Sequence, residues 1–166
     1  MHIIIQNKWI SLGESSIAKD ENGKDVCIID GKVVSISRIK YIKTLDGDIK
    51  YSVRNKVFNL FAYKAIIADK NDNQVAVVRK RVLTFKSAFD VETAFGNYTI
   101  TGNVLGFDYH IAKNGKEIGH SSRHLSLRDS FALDINDNED YMFVIALVIA
   151  IDNITDRMNQ DRSSTN

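Results

Sequence analysis

The chain of 166 residues has no proline, one cysteine and only 9 glycines. Each shortage excludes something. A lone Cys27 permits no internal disulfide and no thiolate metal cluster, which suits a reducing compartment. Without proline there is no proline-rich linker, and no internal stretch reads as a domain boundary. Charge of one sign is lacking as well: 22 basic against 21 acidic residues leave a net +1. Nucleic-acid binding, which goes with a clearly basic domain, is therefore not expected. Long apolar runs are nearly absent. The opening MHIIIQNKWIS holds three successive apolar residues and no small-residue cleavage site, so it does not read as a signal peptide.

The one extended apolar run spans Met142 to Ile151. As a helix it would measure about 15 Å, half of the ~30 Å hydrocarbon core of a bilayer, so it is too short to span. Its periodicity cannot separate strand from helix, and its Val and Ile lean towards strand. Three features favour helix. NDNED before it supplies cap candidates and acids for a first turn. The run exceeds the usual strand length. Leu147, Ile151, Ile154 and Met158 continue one helical face beyond it. A core helix over about 139–156 is expected, apolar all round and hence buried on all sides.

Elsewhere, short runs of Val, Ile, Tyr and Phe alternate with turn-forming segments: DENGK (20–24), IDGK (29–32), LDGD (45–48), KNDN (70–73) and KNGK (113–116). Asn-Gly and Asp-Gly accept positive φ and predict tight type I′ hairpins. Many such turns between β-prone runs indicate an antiparallel sandwich or barrel. A loose repeat supports this. NKWISLGESSIAKDENGKDV (7–26) lines up with NKVFNLFAYKAIIADKNDNQV (55–75), and more weakly with RHLSLRDSFALDINDNED (123–140). One domain over 1–158 is expected, followed by a flexible polar tail, 159–166.

This order of features resembles the LURP-one-related family, whose fold is that of the tubby C-terminal domain and, more distantly, of the phospholipid scramblases. The resemblance rests on IIIQNKWISLGESSIAKDENGKDV at the start and on VRKRVLTFKSAFDVE (78–92) and FDYHIAKNGKEIG (107–119) in the middle. It is fullest at the close, FALDINDNEDYMFVIALVIAIDNI (131–154). It implies a mainly β fold: a closed antiparallel barrel of about twelve strands around a buried C-terminal helix. Tubby domains bind phosphoinositide head groups through basic residues, but no tubby binding motif matches here and no position carries over. A shared fold is only an analogy for function.

The residues themselves show little chemistry. HSSRH places His120 and His124 four apart, but an Asn114-Gly115 turn sets Tyr109 opposite His120 and His110 opposite Gly119. His110 and His120 then point to opposite faces, and no metal site is expected. DINDNED (134–140) and DKNDNQ (69–74) lack the glycine and glutamate of a calcium loop. GESS (13–16) is not a nucleophile elbow, Cys27 in VCII reads as a small core residue, and GNYTITGNVLG (96–106) fits no phosphate-binding fingerprint. No catalytic residue and no cofactor emerge, so a non-enzyme is expected.

Basic residues give the one functional hint. Arg79 and Arg81 in VRKRV share one strand face, with Lys80 on the other, and Arg38 and Lys40 alternate with apolar residues in SRIKYIK. Two outward arginines can hold phosphate bidentately, although a solvated sheet surface has the same appearance. The expected function is a binding or regulatory barrel, cytoplasmic and peripheral at the inner membrane surface, whose partner is anionic lipid or another protein. Two alternatives stand beside it: an enzyme with a dispersed site, and a scramblase-like protein anchored by its apolar helix.

Overall fold

Turn chemistry sets the framework. The computed structural model describes residues 1–6, 15–31, 39–56, 63–81, 87–104, 108–123 and 130–163. Twelve strands run in chain order: β1 (His2–Gln6), β2 (Ser16–Asp20), β3 (Asp25–Gly31), β4 (Lys40–Lys43), β5 (Ile49–Asn55) and β6 (Lys64–Asp69), then β7 (Gln74–Lys80), β8 (Ser87–Thr93), β9 (Tyr98–Asn103), β10 (Asp108–Lys113), β11 (Lys116–Arg123) and β12 (Ser130–Ile135). Every strand pairs antiparallel with its sequence neighbours, and β1 pairs with β12, which closes the barrel. Closure leaves no free edge.

The turns fall into two kinds. Asn114 and Gly115 both take positive φ, 51° and 81°, the type I′ geometry expected of Asn-Gly. At 20–24 and 69–73 only Gly23 (77°) and Asp72 (62°) do so, and each loop adds a register shift in the hairpin it closes. These two turns share one internal bonding. Asp20 Oδ1 accepts from the amides of Asn22 and Lys24, and Asp69 Oδ1 accepts from those of Asn71 and Asn73, all at 2.9 Å. The described parts of the first two copies of the repeat thus share a strand, β2 or β6, and the turn that follows it. Asp30-Gly31 differs from its expectation as a turn, since both residues sit in β3 and pair with Tyr41 and Lys40.

The apolar run is helical and internal. Helix α1 spans Tyr141–Ser163, and every residue from Met142 to Ile154 is buried. Asp140 caps it: its Oδ1 accepts from the amides of Met142 (3.0 Å) and Phe143 (3.1 Å), while its Oδ2 accepts from the Tyr51 hydroxyl (2.7 Å). No acid lies in the first turn itself. The helix outlasts its expected end near 156 and takes in part of the expected tail. No proline or glycine stops it, and Arg157 stands beside Asp161 one turn on (3.9 Å). Among the described residues no helix is long and apolar enough to cross a membrane.

The helix leans on β4 to β7, where Ala65 and Ala76 leave room for its backbone. Larger residues such as Tyr109, Ile111, Phe131 and Leu133 fill the opposite wall. Interior packing needs this pairing of small against large. At the entry, Tyr51, Phe95 and Tyr98 meet the Phe143 ring edge-on at 5.3–5.5 Å. Gly102 shows how tightly the wall is drawn. Its φ is 140°, and a Cβ there would lie 2.6 Å from the Asp108 carbonyl oxygen.

Candidate functional site

Antiparallel closure gives the barrel two unlike ends. The turns after β2, β4, β6, β8 and β10, together with the helix entry after β12, lie at one end; α1 runs from there to the other, the mouth. Stretches 19–25, 43–50, 69–73, 92–97, 113–117 and 134–140 build the turn end, with thirteen carboxylates against seven lysines. Because the whole chain is net +1, the remainder is net positive. The turn end is thus net negative although the whole chain is nearly balanced.

Arg79 and Arg81 project from the outer face of β7, as their alternation predicted, with side chains 42 % and 41 % exposed. Each already faces a carboxylate on β8. Arg79 Nη1 lies 2.7 Å from Glu92, and Arg81 holds both oxygens of Asp90, with Nε donating at 2.7 Å. The Arg81 guanidinium keeps the Asp90 carboxyl below its usual range. A phosphate would have to displace these partners. Arg38 lies outside the described residues.

Lys40 departs from its expected place. Lys40 and Ile42 face inward, Tyr41 and Lys43 outward. Lys40 is buried, and its Nζ donates to Asp152 of α1 at 3.2 Å, with both side chains 7 % exposed. It cannot serve an external head group. Alternation marks two faces of a strand but not which one is inside, and here a carboxylate on the helix decides.

Cations without carboxylate partners among the described residues stand nearby at the mouth. Lys56 follows β5, Lys64 begins β6 and Lys80 ends β7. Backbone bonds hold these strand ends together: the Lys56 amide donates to the Lys64 carbonyl (3.1 Å) and the Lys80 amide to that of Tyr63 (3.2 Å). Arg157 of α1 donates to the Lys56 carbonyl at 3.2 Å. Lys56, Lys64 and Lys80 form no ion pair among the described residues. Of this corner, sequence alternation had singled out only the two arginines of β7. Nothing in the sequence alone joins Lys56 or Lys64 to them, since β5–β6 pairing brings them together.

The histidines overturn another expectation. A bulge between Ile111 and Ala112 shifts the β10–β11 register, so His110 pairs with His120 and not with Gly119. Their rings stack on the outer face, centroids 4.5 Å apart. The extra residue is Ile118, which is buried and pushes His120 outward. His120 Nε2 meets Asp108 (3.0 Å), His110 Nδ1 meets Glu117 (3.2 Å), and His2 Nδ1 meets Asp134 (2.6 Å). Among the described residues no three His, Cys, Asp or Glu side chains are placed to hold a metal. His124 lies outside them.

Comparison with known proteins agrees with this architecture. A family model described as LURP-one-related matches residues 1–152. An X-ray structure of a protein from Arabidopsis thaliana superimposes with a TM-score of 0.66 at 16% identity, covering 93% of this chain and 90% of that one. At that identity the likeness shows the fold alone. No curated protein matches.

Proposed function

The chain belongs to the LURP-one-related family, and we propose that it is a non-enzymatic binding barrel that docks on anionic phospholipid head groups at the cytoplasmic face of a membrane. Lys56, Lys64 and Lys80 at the mouth, which form no ion pair among the described residues, carry this reading. Each cation close to an anionic surface contributes about 1 kcal/mol, so three contribute on the order of 3 kcal/mol, a factor of roughly 10² in affinity. Arg79 and Arg81 contribute less, because Glu92 and Asp90 must be given up first. The turn end, rich in carboxylates, faces away. In this fold α1 fills the core, which supports the head-group reading over one that uses this helix as an anchor. Cys27, the lone cysteine, is buried and its thiol is pushed up to about 12, which supports a structural rather than a nucleophilic role.

Co-sedimentation with vesicles tests the reading. Binding to phosphatidylserine-containing vesicles should exceed binding to pure phosphatidylcholine, and a triple Lys56→Gln, Lys64→Gln, Lys80→Gln variant should lose on the order of 10²-fold. Equal binding to neutral and anionic vesicles would remove the proposal.

A further inference from the structure

Where α1 enters the barrel at the turn end, a cavity of about 410 Å³ opens beside it, within the ~300–1,000 Å³ of small-molecule sites. Tyr51 of β5, Val75 of β7, Phe95 of the β8–β9 turn and Tyr141 at the start of α1 supply its apolar lining. Asp69 and Asp140 supply its acids. Three aromatic rings from separate parts of the chain thus border one space. Tyr51 and Tyr141 are half-buried and pack against the core. Phe95 is 47 % exposed, yet its ring is held by contact with Phe143 at 5.3 Å. So exposed a ring adds little core burial, and its open surface borders the cavity.

The charges at this cavity decide what it takes. Both carboxylates are pinned in place by the protein itself. Asp140 Oδ1 accepts from the Met142 and Phe143 amides and its Oδ2 from the Tyr51 hydroxyl. Asp69 Oδ1 accepts from the amides of Asn71 and Asn73, and its Oδ2 from the Asn73 side chain at 3.1 Å. These bonds, those of Asn73 foremost, hold the Asp69 carboxyl below its usual range. The Tyr51 phenol reports the resulting field: it is pushed up first by burial, then by Asp140, with Asp69 adding to it. Lys50 and Lys70 also line the cavity, but both are exposed and form no ion pair among the described residues, so their long side chains can turn to water. The helix amides that would repel a cation are spent on Asp140. Aromatic rings beside fixed negative charge fit a cation. Because the carboxylate oxygens are already engaged, they supply charge rather than acceptors, which favours a cation with no N–H to donate.

We infer that this cavity binds a quaternary ammonium group, held against Tyr51, Phe95 and Tyr141 and attracted by Asp69 and Asp140. The site lies at the end of the barrel opposite Lys56, Lys64 and Lys80, and it does not depend on the head-group reading.

In the test, the full chain is titrated with choline chloride while NMR follows the ring signals of Tyr51, Phe95 and Tyr141. Saturable shifts are expected. Choline's uncharged isostere, in which a tert-butyl group replaces the trimethylammonium, should bind on the order of tenfold more weakly. Phe95→Leu should weaken choline binding on the order of tenfold with an unchanged Tm, and Phe95→Trp should bind it at least as well as the native chain, since indole is the better partner for a cation. Asp69→Asn keeps the acceptor of the turn and removes its charge, so it should weaken choline and leave the isostere unchanged. Binding of Phe95→Leu to anionic vesicles should match the native chain, which separates this site from the lysine surface. Competition by phosphatidylcholine vesicles would identify a lipid head group as the source of the ammonium, and no competition a dissolved molecule. Shifts that never saturate would overturn the inference, as would an isostere that binds as well as choline. So would choline binding unaltered by both Phe95→Leu and Asp69→Asn.

Discussion

Lys40 and Asp152 are 112 residues apart in the chain and 3.2 Å apart inside the barrel, each with only 7 % of its side chain exposed. The pair ties β4 to α1 where the apolar lining gives way to polar. Removing one partner breaks a buried ion pair, which costs about 3–5 kcal/mol. Lys40→Met and Asp152→Leu should each destabilise by that order in urea titrations, whereas the double variant should recover most of the loss. Two independent, additive losses would show that the pair is not coupled.

The core helix should be indispensable. A chain ending at Asp140 loses every buried residue of α1 and should be insoluble or unfolded, while one ending at Met158 should melt cooperatively with only a small loss. Leu147, 0 % exposed, gives the point test: Leu147→Ala should cost about 2–5 kcal/mol, and Leu147→Asp should prevent folding. Circular dichroism during heating distinguishes these outcomes.

Gly102→Ala should be costly despite its small size. Positive φ and a backbone oxygen 2.6 Å from the new Cβ act together, so a loss of about 1–3 kcal/mol is expected, seen as a lower Tm. Gly23→Ala meets no atom within 4 Å and should show only the conformational part of that loss.

Cys27 gives a pH dependence of known sign. Burial raises its thiol from 9.0 to about 12, so the unfolded chain releases this proton first. The stabilisation is complete below pH 9 and is lost as pH rises from 9 towards 12, by up to ~1.4 kcal/mol per unit. Cys27→Ala should flatten that part of the stability profile. In the native chain thiol reagents should react slowly at neutral pH and quickly after denaturation.

Vesicle binding should fall steeply with salt, since it rests on exposed charge and the screening length is about 10 Å at 0.1 M. Arg79→Ala with Arg81→Ala should weaken it less than the triple lysine variant does. The reverse order would place the contact on the outer face of β7.

Much of the fold could be read directly from the residues. Ten apolar residues in succession can only be buried, and the Asx-Gly turns announce hairpins. The side-chain detail was harder to read, and single events explain why. One extra residue, Ile118, reverses the facing of His120 and puts it against His110. In SRIKYIK, the alternation was visible but its inward face was not, because Asp152 lies in a distant part of the chain. The basic corner depends on strand neighbours that no local pattern encodes: Lys56 meets Lys64 only through β5–β6 pairing. At the helix end, a polar composition suggested fraying, but nothing in it breaks a helix.

Sorting carboxylates to one end of the barrel gives the molecule an electric dipole along its own axis. A charged surface then exerts a torque as well as an attraction, and the torque acts before contact. Approaching an anionic layer, the barrel rotates mouth-first within the last few ångströms in which the field is unscreened, on the order of 8 Å at physiological ionic strength. Of all the collisions that diffusion supplies, the larger share then arrives with Lys56, Lys64 and Lys80 leading. Under the proposed head-group docking, the acidic turns would therefore act on the rate of encounter, from the end that faces away from the surface.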